Sequence, residues 1–129
     1  MVTLMPGAWG RLIDPHTGQP LSTRRETAMA LHEEGLSVIR MGGSMTAMSG
    51  YLWKNFTAKP ELRQPYQADW LKTSVSSRGW GVFECVDMCN ALGILPIADL
   101  RLSESSEDMA DLVDWLHGDG STVWGAKRM

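Results

Sequence analysis

The chain has 129 residues, 43% of them hydrophobic, with six Trp, a formal net charge of -3 and a pI near 5.5. This is enough material for one globular domain with a core, and it offers no basic stripe to neutralise a nucleic-acid backbone. No apolar run approaches the roughly 20 residues that span a bilayer, and no basic-then-apolar leader opens the chain. The expectation is a cytoplasmic protein with neither nucleic acid nor membrane as a partner.

Val2 to Met5 reads as a short strand ended by Pro6-Gly7, and Asp14-Pro15-His16-Thr17-Gly18 as a turn. Thr23-x-x-Glu26 has the spacing of a capping box. The helix it would open runs to about Glu34, with Ala28 and Leu31 facing inward and Gly35 as its stop. A strand over Ser37–Met41 follows at once, and Gly42-Gly43-Ser44 then opens a long loop of about 42–78. Helical spacing returns over Gly81–Leu92, with Val82, Phe83, Val86 and Cys89 on one side and Gly93 as the stop before an apolar strand, Ile94–Leu100. Ser105-x-x-Asp108 caps a last helix whose stripe is Met109, Leu112, Val113 and Leu116. Helices alternating with strands in this way argue for an α/β fold, a parallel sheet covered by helices.

The motifs of dinucleotide, triphosphate and zinc-protease sites are missing. None of His16, His32 and His117 sits in a nucleophile context. Attention therefore falls on the long loop, because loops beyond about 12–15 residues are often functional and ligands of α/β proteins gather at the carboxyl ends of strands. Arg40 stands at such an end. Its fork of donors suits a carboxylate or the hydroxyls of a ligand, or else a structural ion pair. Gly42-Gly43 reads either as a tight turn or as part of the ligand loop.

The loop carries Tyr51, Trp53, Phe56, Tyr66 and Trp70 among Lys54, Asn55, Arg63, Gln64 and Asp69. Aromatic faces beside polar groups suit sugars, whose C–H patches lie on rings while their hydroxyls need partners. Trp53 and Phe56 read more readily as anchors that pin the loop; Trp70 fits either role. Asp99, near a strand end, is the carboxylate best placed to face a pocket, although a surface or supporting ion pair is its default reading. Glu84 and Asp87 fall on the polar side of their helix. Glu104, Glu107, Asp108 and Asp111 cluster where a helix N-terminus favours negative charge and read as structural. Cys85 and Cys89 share a helical face and read as small buried apolar residues.

Leu36-Ser-Val-Ile-Arg-Met-Gly-Gly-Ser44, followed by Gly50-Tyr51-Leu52-Trp53-Lys54-Asn55, resembles the strand and loop of family 51 glycoside hydrolases, the α-L-arabinofuranosidases. Arg63-Gln64-Pro65, Trp70 and the run Ser77 to Cys89 continue that resemblance, as do Ser105 to Gly118 and Trp124-Gly125. The resemblance implies a (β/α)8 barrel, which takes about 250 residues. Residues 1–129 are then an incomplete N-terminal segment of one catalytic TIM-barrel domain, a partial barrel of two to three parallel strands with covering helices.

It also implies a retaining enzyme that releases α-L-arabinofuranosyl groups from plant polysaccharides or oligosaccharides, its two glutamates roughly 5–5.5 Å apart. No Asn-Glu pair of the family's kind occurs here, so no catalytic residue is assigned and both glutamates are expected beyond the C-terminus. The residues carried over bind substrate: Arg40, Gly43, Ser44 and Trp70. Common members have Pro-Gly-Gly-Asn where this chain has Gly42-Gly43-Ser44-Met45, so Ser44 substitutes for the Asn that bonds a sugar hydroxyl. The implied partner is an arabinofuranoside, no metal or organic cofactor is required, and the full-length form is compatible with a homo-oligomer. The alternative is a self-contained, non-catalytic α/β carbohydrate-binding or scaffold module. A complete module covers its own sheet edges, whereas a barrel segment leaves them open and is poorly soluble alone.

Overall fold

The computed structural model describes residues 10–43, 46, 51–59, 62–63 and 80–128. The expected strand at Val2–Met5, and Ser44 and Trp70 with it, lie outside the described residues. The first elements are β1 (Arg11–Ile13) and β2 (Pro20–Arg24), an antiparallel hairpin with Arg11 opposite Arg24 and Ile13 opposite Pro20. Its turn is organised by Asp14, whose carboxylate accepts from the His16 amide (2.9 Å) and the Thr17 hydroxyl (2.7 Å). Those two donors hold the Asp14 carboxyl below its usual range.

The hairpin corrects the expected capping box. Thr23 belongs to β2, and its hydroxyl accepts from Trp80 Nε1 at 3.2 Å. α1 (Arg25–Glu33) begins instead after Arg24, with no side-chain cap. Strand pairing has claimed the residue whose spacing suggested a cap.

Two copies of one helix-to-strand unit follow. α1 leads through Gly35 to β3 (Val38–Met41), and α2 (Val82–Leu92) leads through Gly93 to β4 (Leu95–Ala98). Both glycines sit in the left-handed region, φ 76° and 69°, a conformation that ends a helix and that L side chains resist. β3 and β4 pair in parallel, Val38 with Leu95, Ile39 with Pro96, Arg40 with Ile97 and Met41 with Ala98. α3 (Ser106–His117) is capped as expected, the Ser105 hydroxyl accepting from the Asp108 amide, and a short α4 (Val123–Arg128), which the sequence reading lacks, packs against it.

The main core joins Leu12, Ala28, Met41, Cys85, Met88, Cys89 and Ile94, so hairpin, α1, α2 and one sheet face close on each other. Cys85 and Cys89 are buried thiols, as expected of small apolar core residues; burial pushes Cys85 up to about 12. The other sheet face is bare: Val38, Leu95 and Ile97 are 42%, 60% and 45% exposed. The α3 stripe behaves alike, since only Leu112 is buried while Met109, Val113 and Leu116 are exposed. The architecture is mixed α/β, a small antiparallel sheet beside a helix-covered parallel pair.

Candidate functional site

β3 and β4 run in register, so the side chains leaving their carboxyl ends on the bare face meet. Arg40 Nη1 donates to Asp99 Oδ2 at 2.9 Å, joining two positions 59 residues apart. The Gly43 amide donates to the same oxygen at 2.8 Å. Reaching it requires the chain to fold over Asp99 directly after β3. Gly42 and Gly43 do this at φ 139° and 60°, and a Cβ on Gly42 would stand 2.3 Å from the Asp99 Cβ. The glycine pair is therefore a turn built around a carboxylate, and the Gly43 amide is spent on Asp99. Thr46 closes the turn, its hydroxyl donating to the Gly43 carbonyl at 2.9 Å.

The Arg40 side chain is 65% exposed and Asp99 24%. A pair this open contributes about 0–1 kcal/mol to folding, and it is the ion pair that the sequence reading held open for both residues. It leaves guanidinium donors and one Asp99 carboxylate oxygen without a hydrogen bond among the described residues, at the carboxyl end of the parallel pair. Of the four expected substrate residues, the structure brings Arg40 and Gly43 together. Asp99 is the third member.

The first stretch of the long loop is fixed to the body. A single 3-10 turn, Trp53–Phe56, places Trp53 at 1% exposure. The Trp53 amide donates to the Glu104 carboxylate at 2.9 Å, and its Nε1 to the Asp108 carbonyl at 2.8 Å. Trp53 meets Trp124 edge-on, ring centroids 5.0 Å apart. Lys54 pairs with Asp108 (2.6 Å) and with Asp111. These carboxylates raise the Lys54 ammonium, and Lys54 in turn holds Asp108 below its usual range. Trp53 and Phe56 are thus anchors.

Farther along, Arg63 forms a bidentate pair with Glu84 (2.5 and 3.2 Å) and donates through Nε to the Ala58 carbonyl (2.8 Å). Glu84 also accepts from the Gly81 amide at 2.7 Å, tying the loop to the start of α2. The placement of Glu84 on a polar helix side is therefore corrected: it is buried against a buried Arg63. Helical periodicity cannot show that a partner 21 positions away covers it.

A cavity of about 730 Å³ lies away from this corner, lined by Phe83, Asp87, Asn90, Trp115, Trp124 and Lys127 among others, and by neither Arg40 nor Asp99. Its aromatic wall is partly taken, because Lys127 Nζ rests 3.7 Å from the Trp124 ring centroid. We place the candidate site at the strand ends, where unengaged polar groups converge. No helix among the described residues is long and apolar enough to cross a membrane.

The class defined so far is a mixed α/β unit whose parallel strands carry a polar corner at their carboxyl ends. No family model and no curated protein matches the chain. Solved structures do match. An α-L-arabinofuranosidase from Thermotoga maritima, in complex with arabinose, superposes with a TM-score of 0.69 at 16% identity over 92% of this chain. A family 51 α-L-arabinofuranosidase from Bifidobacterium longum gives 0.69 at 15% over 92%, and one from Thermotoga petrophila 0.68 at 17% over 83%. The fold is thus that of a stretch of family 51 α-L-arabinofuranosidases, the family to which the sequence bears its resemblance. The chain spans 24%, 22% and 22% of the length of those three proteins.

Proposed function

We propose that this chain is the N-terminal segment of a retaining glycoside hydrolase barrel acting on α-L-arabinofuranosides in the cytoplasm, and that it contributes substrate-binding groups. The observation that carries the reading is the likeness of fold to arabinofuranosidases over 92% of the chain, together with an exposed Arg40 paired with a half-buried Asp99 at the ends of the parallel strands. The bare sheet face supports the segment reading over a self-contained module, since the interior of a barrel is filled by side chains from further strands. In that barrel Arg40, Ser44 and Trp70 position the sugar, the Gly42-Gly43 turn holds Asp99 in place, and the two catalytic glutamates come from later strands. No metal or organic cofactor takes part.

The test is turnover of an aryl α-L-arabinofuranoside by the protein expressed from its whole coding frame. Arg40→Ala and Trp70→Ala are expected to lower kcat/KM about 100-fold by loosening substrate placement. Unchanged kinetics in folded variants would remove both residues from the site, and a wild-type protein that turns over no arabinofuranoside would overturn the reading.

A further inference from the structure

Half of the Arg40–Asp99 corner is unused. Both bonds to Asp99 arrive at Oδ2, from Arg40 Nη1 at 2.9 Å and from the Gly43 amide at 2.8 Å. Among the described residues Oδ1 receives none. A guanidinium carries five N–H donors, and among the described residues one of the five on Arg40 is engaged. These unengaged donors and this unengaged acceptor belong to two side chains held against each other by a register-locked strand pair and a glycine turn.

An exposed arginine alone attracts anions and grips carboxylates with both prongs. Here the cation has a carboxylate 2.9 Å away, which cancels its charge locally and occupies part of the fork. An incoming carboxylate would meet Asp99 as a like charge. Two neighbouring hydroxyls meet no such conflict, because one accepts from Arg40 while the other donates to Asp99 Oδ1.

We infer that Asp99 is a ligand-binding residue that sets the charge preference of the site, directing it to a neutral sugar with adjacent hydroxyls and against carboxylated sugars. This rests on the reading of the corner as a carbohydrate site and adds the residue that selects among carbohydrates. Asp99 does so in two ways, as an acceptor for one hydroxyl and as the counter-charge of Arg40.

The experiment is calorimetric titration of the protein expressed from its whole coding frame with methyl α-L-arabinofuranoside and, separately, with sodium galacturonate. The wild type is expected to bind the neutral glycoside at least about tenfold more tightly. Asp99→Asn retains an oxygen for the Gly43 amide but loses the charge; it is expected to weaken the neutral glycoside about tenfold and to strengthen galacturonate by a similar factor. Arg40→Gln leaves Asp99 without its counter-charge and is expected to bind galacturonate more weakly than the wild type. Galacturonate affinity thus orders Asp99→Asn above wild type above Arg40→Gln. Wild-type binding of the neutral glycoside with an unchanged preference in Asp99→Asn would overturn the role of Asp99 and leave the carbohydrate reading standing. Should that variant fail to fold, an unchanged galacturonate affinity in Arg40→Gln does the same. Binding of neither sugar by the wild type would overturn both.

Discussion

The two faces of the parallel pair differ sharply, one packed and one uncovered among the described residues. Ile39 and Met41 look toward α1 and α2, where Met41, Cys85, Met88 and Cys89 close a core. One residue along the same strands, Val38, Leu95 and Ile97 look outward and stay uncovered. Alternation along a strand makes both faces at once, so the sequence has prepared apolar surface on a side for which the described residues offer no cover. α3 repeats the contrast, with Leu112 buried and Val113 60% exposed one position later. One side is closed by the described residues; the other is left uncovered by them.

The largest effect should come from breaking the buried Arg63–Glu84 pair, which ties the loop to α2 beside the packed core. Glu84→Ala removes the bidentate carboxylate from a buried guanidinium and the acceptor of the Gly81 amide. Stranding a buried charge costs about 3–5 kcal/mol, a large share of the roughly 5–15 kcal/mol that hold a domain together. Chemical denaturation of the variant should show a collapse of the midpoint. A loss below about 1 kcal/mol would mean that the pair is hydrated in solution.

Next in size, Met88→Ala and Val113→Ser test the comparison directly. Met88 lies in the core at 2% exposure, where truncation costs about 2–5 kcal/mol. Val113→Ser, on the open face of α3, should shift stability by no more than about 0.5 kcal/mol while reducing self-association of the 129-residue chain in sedimentation. Equal destabilisation by both would show that the α3 face is covered in solution and erase the contrast.

What the sequence disclosed follows the range of the interactions. The two helix-to-strand units were legible because apolar spacing and a terminal glycine lie within a dozen residues, and the Ser105 cap because it spans three. Trp53 and Phe56 read correctly as anchors from their bulk alone. The hairpin was missed: Thr23 carries a capping signal locally, and only pairing of Arg11 with Arg24 and the Trp80 indole overrides it. α4 was missed because six residues with a glycine inside them present little periodicity. At the site, Arg40 and Asp99 were each visible as strand-end polar residues, yet their pairing depends on a parallel register across a long crossover. The burial of Glu84 depended likewise on Arg63. Local rules marked the residues, and long-range register decided their partners.

The smallest effect separates the loop anchor from the core beneath it. Lys54 pairs with Asp108 and Asp111 at the surface, all three partly open. Lys54 holds the Asp108 carboxyl below its ordinary value of 3.8, so the contribution of the pair is fully present above that pH and fades as pH falls through the lowered value. The raised Lys54 ammonium acts at the other end: its contribution is complete below 10.5 and is lost only in stronger alkali. Between those limits the anchor should be indifferent to pH. Titrating the wild type from about pH 5 to about pH 2 should loosen the joint seen by Trp53 and Trp124, whose fluorescence reports it, and added salt should weaken the same step. Lys54→Met should flatten that acid step while leaving the Met88 core intact. An identical acid profile in the variant would show that the Lys54 ion pairs are not what the acid step breaks.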